Sequence, residues 1–194
     1  MASPMRVVNI NAKFSLNSKS KLDMQKLIET QKDYKFDRKY NRFFFSFRKP
    51  QGTITLYSSG NGICLGTTNV QDTETLIRRL AARFRKWAKL NVTYCGFSVK
   101  NIAVALITGH QIDLDTFAKV NPEKVRFNPE SFAGAIYKHE LSITLTVFRN
   151  GKINVTGIKS IDDLALLDKG IRDLFDIYRL GSDSLTLMKE ILNL

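Results

Sequence analysis

Cysteine and histidine are nearly missing from this chain of 194 residues, with two of each. Cys64 and Cys95 fall in one half and are not echoed in the other. Two unmatched thiols argue against a disulfide framework and fit a reducing compartment. His110 and His139 have no Cys or His near them at ligand spacing, so no metal site is expected. The sequence also lacks a Ser-His-Asp set, a clustered carboxylate pair and a phosphate-cradling glycine loop. The chain therefore reads as a non-enzyme with no cofactor and no small-molecule substrate. No apolar run reaches the roughly 18 residues of a membrane span, and Met1–Arg6 lacks the apolar stretch of a secretory signal.

Acidic residues are scarce in one half only. Residues 1–97 hold 18 Lys and Arg against 6 Asp and Glu, whereas residues 98–194 hold 12 of each. The net charge of +12 thus belongs to the first half. Such an excess favours a polyanionic partner, with solubility alone as the plainer reading. A hydrophobic content of 43% is enough for a sizeable core.

What is present is a duplication. Asn9 and Asn101, Leu22 and Leu114, Asp23 and Asp115, and Tyr40 and Phe132 lie 92 residues apart. Further on the offset is 91, in Tyr57 and Phe148, Gly60 and Gly151, Gly66 and Gly157, Phe84 and Phe175, and Trp87 and Tyr178. One deleted residue between Phe132 and Phe148 reconciles the two series. The copies are placed at 1–97 and 98–180, followed by a C-terminal extension, 181–194. Leu185, Met188, Ile191 and Leu192 predict a short helix in that extension, packed on its own domain or offered to a partner.

Each copy reads strand, helix, strands, long helix. The first has strands at Val7–Ser15, Tyr40–Arg48, Thr53–Ser58 and Ile63–Gly66 and helices at Leu22–Thr30 and Asp72–Lys89. The long helix is expected to bury Leu76, Leu80, Phe84 and Trp87. The second has strands at Val99–Ile107, Tyr137–Leu141, Ser142–Phe148 and Ile153–Thr156 and helices at Leu114–Val120 and Ile161–Arg179. An α+β architecture follows, with one antiparallel sheet covered on one face by helices.

Strand residues i and i+2 share a face. Ile54 and Leu56 therefore point away from Thr53, Thr55 and Tyr57, and Ile143, Leu145 and Val147 away from Thr144, Thr146 and Phe148. The aliphatic face belongs under the helices. Asn9, Asn11 and Lys13, with Asn101, Ala103 and Ala105, extend the other face. That face is lined by Asn, Thr and Ala, nearly without charge, and ends in aromatics. It suits a fairly dry contact such as the walls and base edges of a minor groove. β-propensity alone is the plainer account of each Thr. Phe43, Phe44, Phe45 and Phe47 are expected mostly in the core, with Phe43 a reserve candidate for the open face.

These residues resemble the TATA-box-binding protein family over roughly Arg6 to Leu180. The segments that carry the resemblance are Val8-Asn9-Ile10 with Lys100-Asn101-Ile102, Ser58-Ser59-Gly60 with Asn150-Gly151-Lys152, Asn128 to Tyr137, and Val155 to Lys159. The family is itself a standard instance of minor-groove bending. The resemblance implies a saddle of two pseudo-symmetric repeats, its helices on the convex face and its concave sheet in the minor groove of A·T-rich double-stranded DNA. It implies intercalating wedges at Tyr40, Tyr57, Phe132 and Phe148. Base contacts fall on Asn9, Asn11, Thr55, Ile63 and Leu65 in the first copy and on Asn101, Thr146, Asn154 and Thr156 in the second. Arg42, Arg48, Lys138 and Lys152 become phosphate contacts. Glu130 matches a position offered to transcription factor IIB. Arg78, Arg79 and Arg85 lie on a helix that meets IIA-like factors and the RNA polymerase machinery. The implied role is a general transcription initiation factor in the nucleus, or at the site of viral transcription in a viral protein. Tyr40, Tyr57, Asn11, Lys13 and Leu65 depart from the family pattern. They motivate an alternative, an interaction scaffold of this fold with altered DNA specificity.

Overall fold

The computed structural model describes residues 1–18, 21–139, 142–162 and 164–181. The proposed helix of the C-terminal extension lies outside them. In chain order the elements are β1 (Ser3–Ser18), α1 (Met24–Thr30), β2 (Tyr34–Asp37), β3 (Arg42–Arg48), β4 (Gln51–Tyr57), β5 (Asn61–Thr67), α2 (Val70–Trp87), β6 (Val92–Ile107), α3 (Leu114–Val120), β7 (Val125–Arg126), β8 (Gly134–Lys138), β9 (Thr144–Phe148), β10 (Lys152–Ile158) and α4 (Leu164–Asp176).

Two compact units share these elements. The first is Val8–Ile102, and the second is Met1–Val7 together with Ala103 onward. Both β1 and β6 are therefore divided between units. Strand order in the first unit is β2-β3-β4-β5-β1-β6, and in the second β1-β6-β10-β9-β8-β7. The first seven residues are fastened to the second unit by Arg172 of α4. Its guanidinium donates to the Ser3 carbonyl and, at 3.1 Å, to the Ile107 carbonyl, while Asp168 holds its Nε at 3.0 Å.

The duplication is visible in the strand register. Thr53 faces Leu65 and Thr55 faces Ile63 across β4 and β5, while Thr144 faces Thr156 and Thr146 faces Asn154 across β9 and β10. All four pairs obey the 91-residue offset. The turns repeat as well: Gly60 N–H donates to the Tyr57 carbonyl at 3.0 Å and Gly151 N–H to the Phe148 carbonyl at 2.9 Å. Both glycines have positive φ, 84° and 81°, and a Cβ there would lie 2.3 Å and 2.2 Å from a backbone oxygen. Only glycine fits these turns without strain.

The short helices correct the sequence alignment. Asp23 caps α1 by accepting from Lys26 N–H at 3.0 Å, and the residue doing so for α3 is Asp113, from Thr116 N–H at 3.1 Å. Leu22 and Ile112, both buried, precede the caps. Their N–H groups bond the Ser58 and Arg149 carbonyls at 2.8 Å and 2.9 Å. The offset here is 90, so the pairings of Leu22 with Leu114 and Asp23 with Asp115 are chance identities. Leu16 and Thr108, whose N–H groups bond the Gly60 and Gly151 carbonyls, still keep the 92-residue offset, so the stretch from them to the cap is two residues shorter in the second copy.

At the α3 cap, partial burial opposes ionisation of Asp113. The bonds from Thr116, the Asp115 N–H and the charge of Arg149 outweigh it and lower the pKa below the ordinary 3.8. Stability from this cap is therefore complete above the unfolded pKa and is lost as pH falls through the folded one. Asp113→Ala is expected to lower unfolding free energy by about 1 kcal/mol at neutral pH, read by urea denaturation.

Core residues follow the alternation. In the first unit, Phe43, Phe45, Ile54, Leu56 and Cys64 of the sheet meet Leu27 of α1 and Leu76, Ile77, Leu80 and Phe84 of α2. In the second unit, Phe117 of α3 stacks edge-on against Phe175 and Tyr178, with ring centroids 5.0 Å and 4.9 Å apart. The Tyr178 hydroxyl accepts from Asn121 Nδ2 at 2.9 Å, so its buried polar end is satisfied. Trp87 departs from the expected stripe and is 61% exposed. The buried row runs through Thr73, Leu76, Ile77, Leu80, Ala81, Phe84 and then Ala88. Position 88, four after Phe84, stays under the helix while 87 rotates out. Phe43, the reserve candidate for the open face, is fully buried against Tyr34 and Phe36.

Both cysteines are free thiols, Cys64 buried and Cys95 exposed. Burial pushes the Cys64 thiol up to about 11. A thiol reagent at neutral pH is expected to label only Cys95 in the native protein and both after denaturation.

Candidate nucleic-acid interface

Cross-strand partners share a face, so the register assigns the sheet face away from the helices. In the first unit Arg42 faces Tyr57, Phe44 faces Thr55 and Ser46 faces Thr53. Thr55 then faces Ile63, and Ile63 faces Lys13. In the second unit Gly134 faces Phe148, Ile136 faces Thr146, and Lys138 faces Thr144, which faces Thr156.

Most of the residues read from sequence as base contacts are half-buried on this face: Asn9, Asn11, Ile63 and Leu65, with Asn101, Thr146 and Asn154. Thr156 is exposed. Thr55 is only 9% accessible, flanked by Phe44 and Ile63. Asn9 has a fixed polarity. Its Oδ1 accepts the Gly66 N–H at 2.7 Å, so the amide oxygen is engaged within the sheet and the Nδ2 donor is what it can offer. Phe44 and Ile136 also belong to this face, opposite Thr55 and Thr146. Alternation in Arg42-Phe43-Phe44-Phe45-Ser46 carried that signal, but four phenylalanines in six residues obscured it.

The two aromatic ends differ. In the second unit Phe132 is 45% exposed, and its ring lies 5.9 Å from that of half-buried Phe148, edge to face. Gly134 lies beneath them. A Cβ there would come within 2.9 Å of Phe132 and 3.1 Å of Phe148. In the first unit the position equivalent to Gly134 is Arg42. Its guanidinium lies 4.8 Å from the Tyr40 ring and 5.0 Å from the Phe44 ring. Nε and Nη2 reach Asp37 at 3.1 Å and 3.0 Å, and Tyr57 lies opposite on β4. Partial burial lowers the pKa of Arg42, but these bonds outweigh it and raise it above an already high value.

The remaining cations are less occupied by rings. Arg48, Lys138 and Lys152 are exposed at strand ends. Arg78 bonds Glu74 at 2.7 Å and covers the Tyr94 ring at 4.5 Å. Arg79 donates to the Lys49 carbonyl at 2.6 Å and Arg85 to the Val92 carbonyl at 3.1 Å. Glu130 is exposed in the turn before Phe132. Among the described residues, no three His, Cys, Asp or Glu gather as metal ligands.

Strands with repeated register, helices on one face and an uncovered face lined mainly by Asn, Thr and apolar side chains define a class of duplicated α+β protein. A family model described as transcription factor TFIID (or TATA-binding protein, TBP) matches residues 4–87 and 96–177, and the chain belongs to this family. It is 25% identical over 167 residues to TATA-box-binding protein 2 of Entamoeba histolytica, a match spanning 85% of this chain and 77% of that one. Identity to the TATA-box-binding protein of Tetrahymena thermophila is also 25%, over 152 residues, spanning 77% and 61%. The structure is similar to Methanococcus jannaschii TBP, with a TM-score of 0.78 at 18% identity over 90% of this chain and 99% of that one. That likeness shows the fold.

Proposed function

We propose that the chain is a nuclear transcription initiation factor that binds A·T-rich duplex DNA through the minor groove and bends it. The observation that carries this reading is the Phe132–Phe148 pair, an exposed and a half-buried ring 5.9 Å apart above Gly134, on a β face lined mainly by Asn, Thr and apolar side chains. Two apolar rings at one end of such a face form a wedge for an unstacked base step. Unstacking costs about a few kcal/mol per step, offset by apolar burial and by counterions released from phosphates. Arg48, Lys138 and Lys152 are the cations assigned to those phosphates.

Minor-groove acceptors on A·T and T·A look alike, while guanine adds an amino donor. The Asn9 Nδ2 donor, left over once Oδ1 accepts from Gly66, matches an acceptor edge and not an amino group. Half-buried Ile63 and Leu65 leave no acceptor for a guanine amino group either. Selection among A·T-rich sites then comes from deformability, since pyrimidine–purine steps unstack at least cost. Exposed Glu130 is assigned to a transcription factor IIB-like partner, and α2 to IIA-like and polymerase contacts through Arg78, Arg79 and Arg85. Each of those three arginines keeps intra-unit bonds, so a partner must share them.

A gel-shift titration tests the reading. Retardation of an A·T-rich duplex, weaker on a G·C-rich one and falling with salt, is expected. Unaltered mobility of both duplexes at micromolar protein would defeat it and favour an interaction scaffold, the role to which Lys13 on the open face points.

A further inference from the structure

We propose that Arg42 makes the two aromatic ends chemically unequal, so that bound DNA is unstacked at the Phe132–Phe148 end alone, while the first unit meets a stacked step with the Arg42 guanidinium. This rests on the DNA-binding reading above and goes beyond it.

The argument starts from one structural equivalence. Arg42 faces Tyr57 as Gly134 faces Phe148. In the second unit the missing side chain is what lets Phe132 and Phe148 approach, since even a Cβ would crowd both rings. In the first unit a full guanidinium fills that place, 4.8 Å from the Tyr40 ring. Tyr40 is held from two further sides. Its N–H donates to Asp37 Oδ1 at 3.3 Å, and Lys39 Nζ lies 5.2 Å from its ring. To enter a base stack, Tyr40 must leave two cations, and both tyrosine hydroxyls must find partners inside a largely apolar gap. Neither phenylalanine faces either cost.

Arg42 is well placed for the alternative contact. Asp37 takes Nε and Nη2, which fixes the plane of the fork beside Tyr57. A guanidinium carries five N–H donors, so some remain for acceptors at the groove floor. A narrow, unkinked A·T-rich groove has enhanced negative potential and attracts arginine. Asp37 therefore acts as a positioning residue. The consequence is polarity: a protein built from two similar copies gains a distinguishable end, and with it one preferred orientation on a nearly symmetric duplex.

The test places 2-aminopurine at each adenine, one at a time, along an A·T-rich duplex that the protein retards in a gel. The wild-type protein is expected to raise fluorescence at one cluster of adjacent positions. Phe148→Ala should abolish that cluster, and Tyr57→Ala should leave it. Arg42→Gly, which copies the second unit, should add a second, separated cluster. Two clusters with the wild-type protein, or a single cluster lost in Tyr57→Ala and kept in Phe148→Ala, would overturn the proposal while leaving DNA binding intact. Absence of any retarded band is a separate failure, of the DNA-binding reading itself, and removes this proposal with it.

Discussion

Phe148→Ala is expected to weaken binding to an A·T-rich duplex by roughly 5- to 150-fold, the equivalent of about 1–3 kcal/mol of lost base–aromatic stacking. Tyr57→Ala, at the matching place in the first unit, is expected to cost less. The difference follows from what each ring touches before DNA arrives. Phe148 meets the edge of Phe132 above a glycine and has no polar atom to desolvate. Tyr57 faces Arg42 across the strand pair and carries a hydroxyl that must be desolvated. Competition gel shifts at one fixed salt concentration measure both variants side by side, because phosphate contacts make affinity strongly salt-dependent. Equal losses in the two variants would contradict the assignment of the wedge to the second unit.

Phe84→Ala carries the largest expected loss of stability. Phe84 is fully buried in α2 and meets Phe45 with ring centroids 5.7 Å apart. Its N–H and C=O neighbours also end the helix, since both Ala88 and Leu90 donate to its carbonyl at 3.1 Å and 3.3 Å. Those backbone bonds survive the substitution, so the loss reports the ring. Truncating a buried phenylalanine to alanine costs about 3–5 kcal/mol, against a total of about 5–15 kcal/mol for an ordinary domain. Urea denaturation should show a lower midpoint with an unchanged slope. Trp87→Ala is the matched control. At 61% exposure it should shift stability by no more than about 0.5 kcal/mol.

Features that repeat in kind were legible in the sequence. Thr-x-Thr-x-aromatic in β4 and β9 fixed two strands, their face and their equivalence, because period-two alternation is a strong local signal. The helix of α3 fell at Leu114–Val120 as read. Elements that rest on pairing rather than on a pattern of their own were not legible. β2 and β7 span four and two residues, too short for a pattern, and they exist because β3 and β8 supply edges to pair with. The alignment of α1 with α3 was two residues out. Identical residues at one offset outvoted a loop-length change that only the cap bonds reveal. At the candidate interface, the aromatic positions could be listed from sequence. The exchange of Gly134 for Arg42 was invisible without the register that makes them equivalent.

The division of β1 has a consequence for synthesis. Met1–Val7 are made before Val8–Ile102, yet the unit they complete continues only at Ala103 and includes Arg172, which binds the Ser3 carbonyl. Ser3 must therefore wait for the 169 residues that separate it from Arg172. Val8–Ile102 can condense in the meantime. Contacts of such long sequence separation form late and slowly, so synthesis through Arg172, and not completion of Val8–Ile102, sets when the second unit can close.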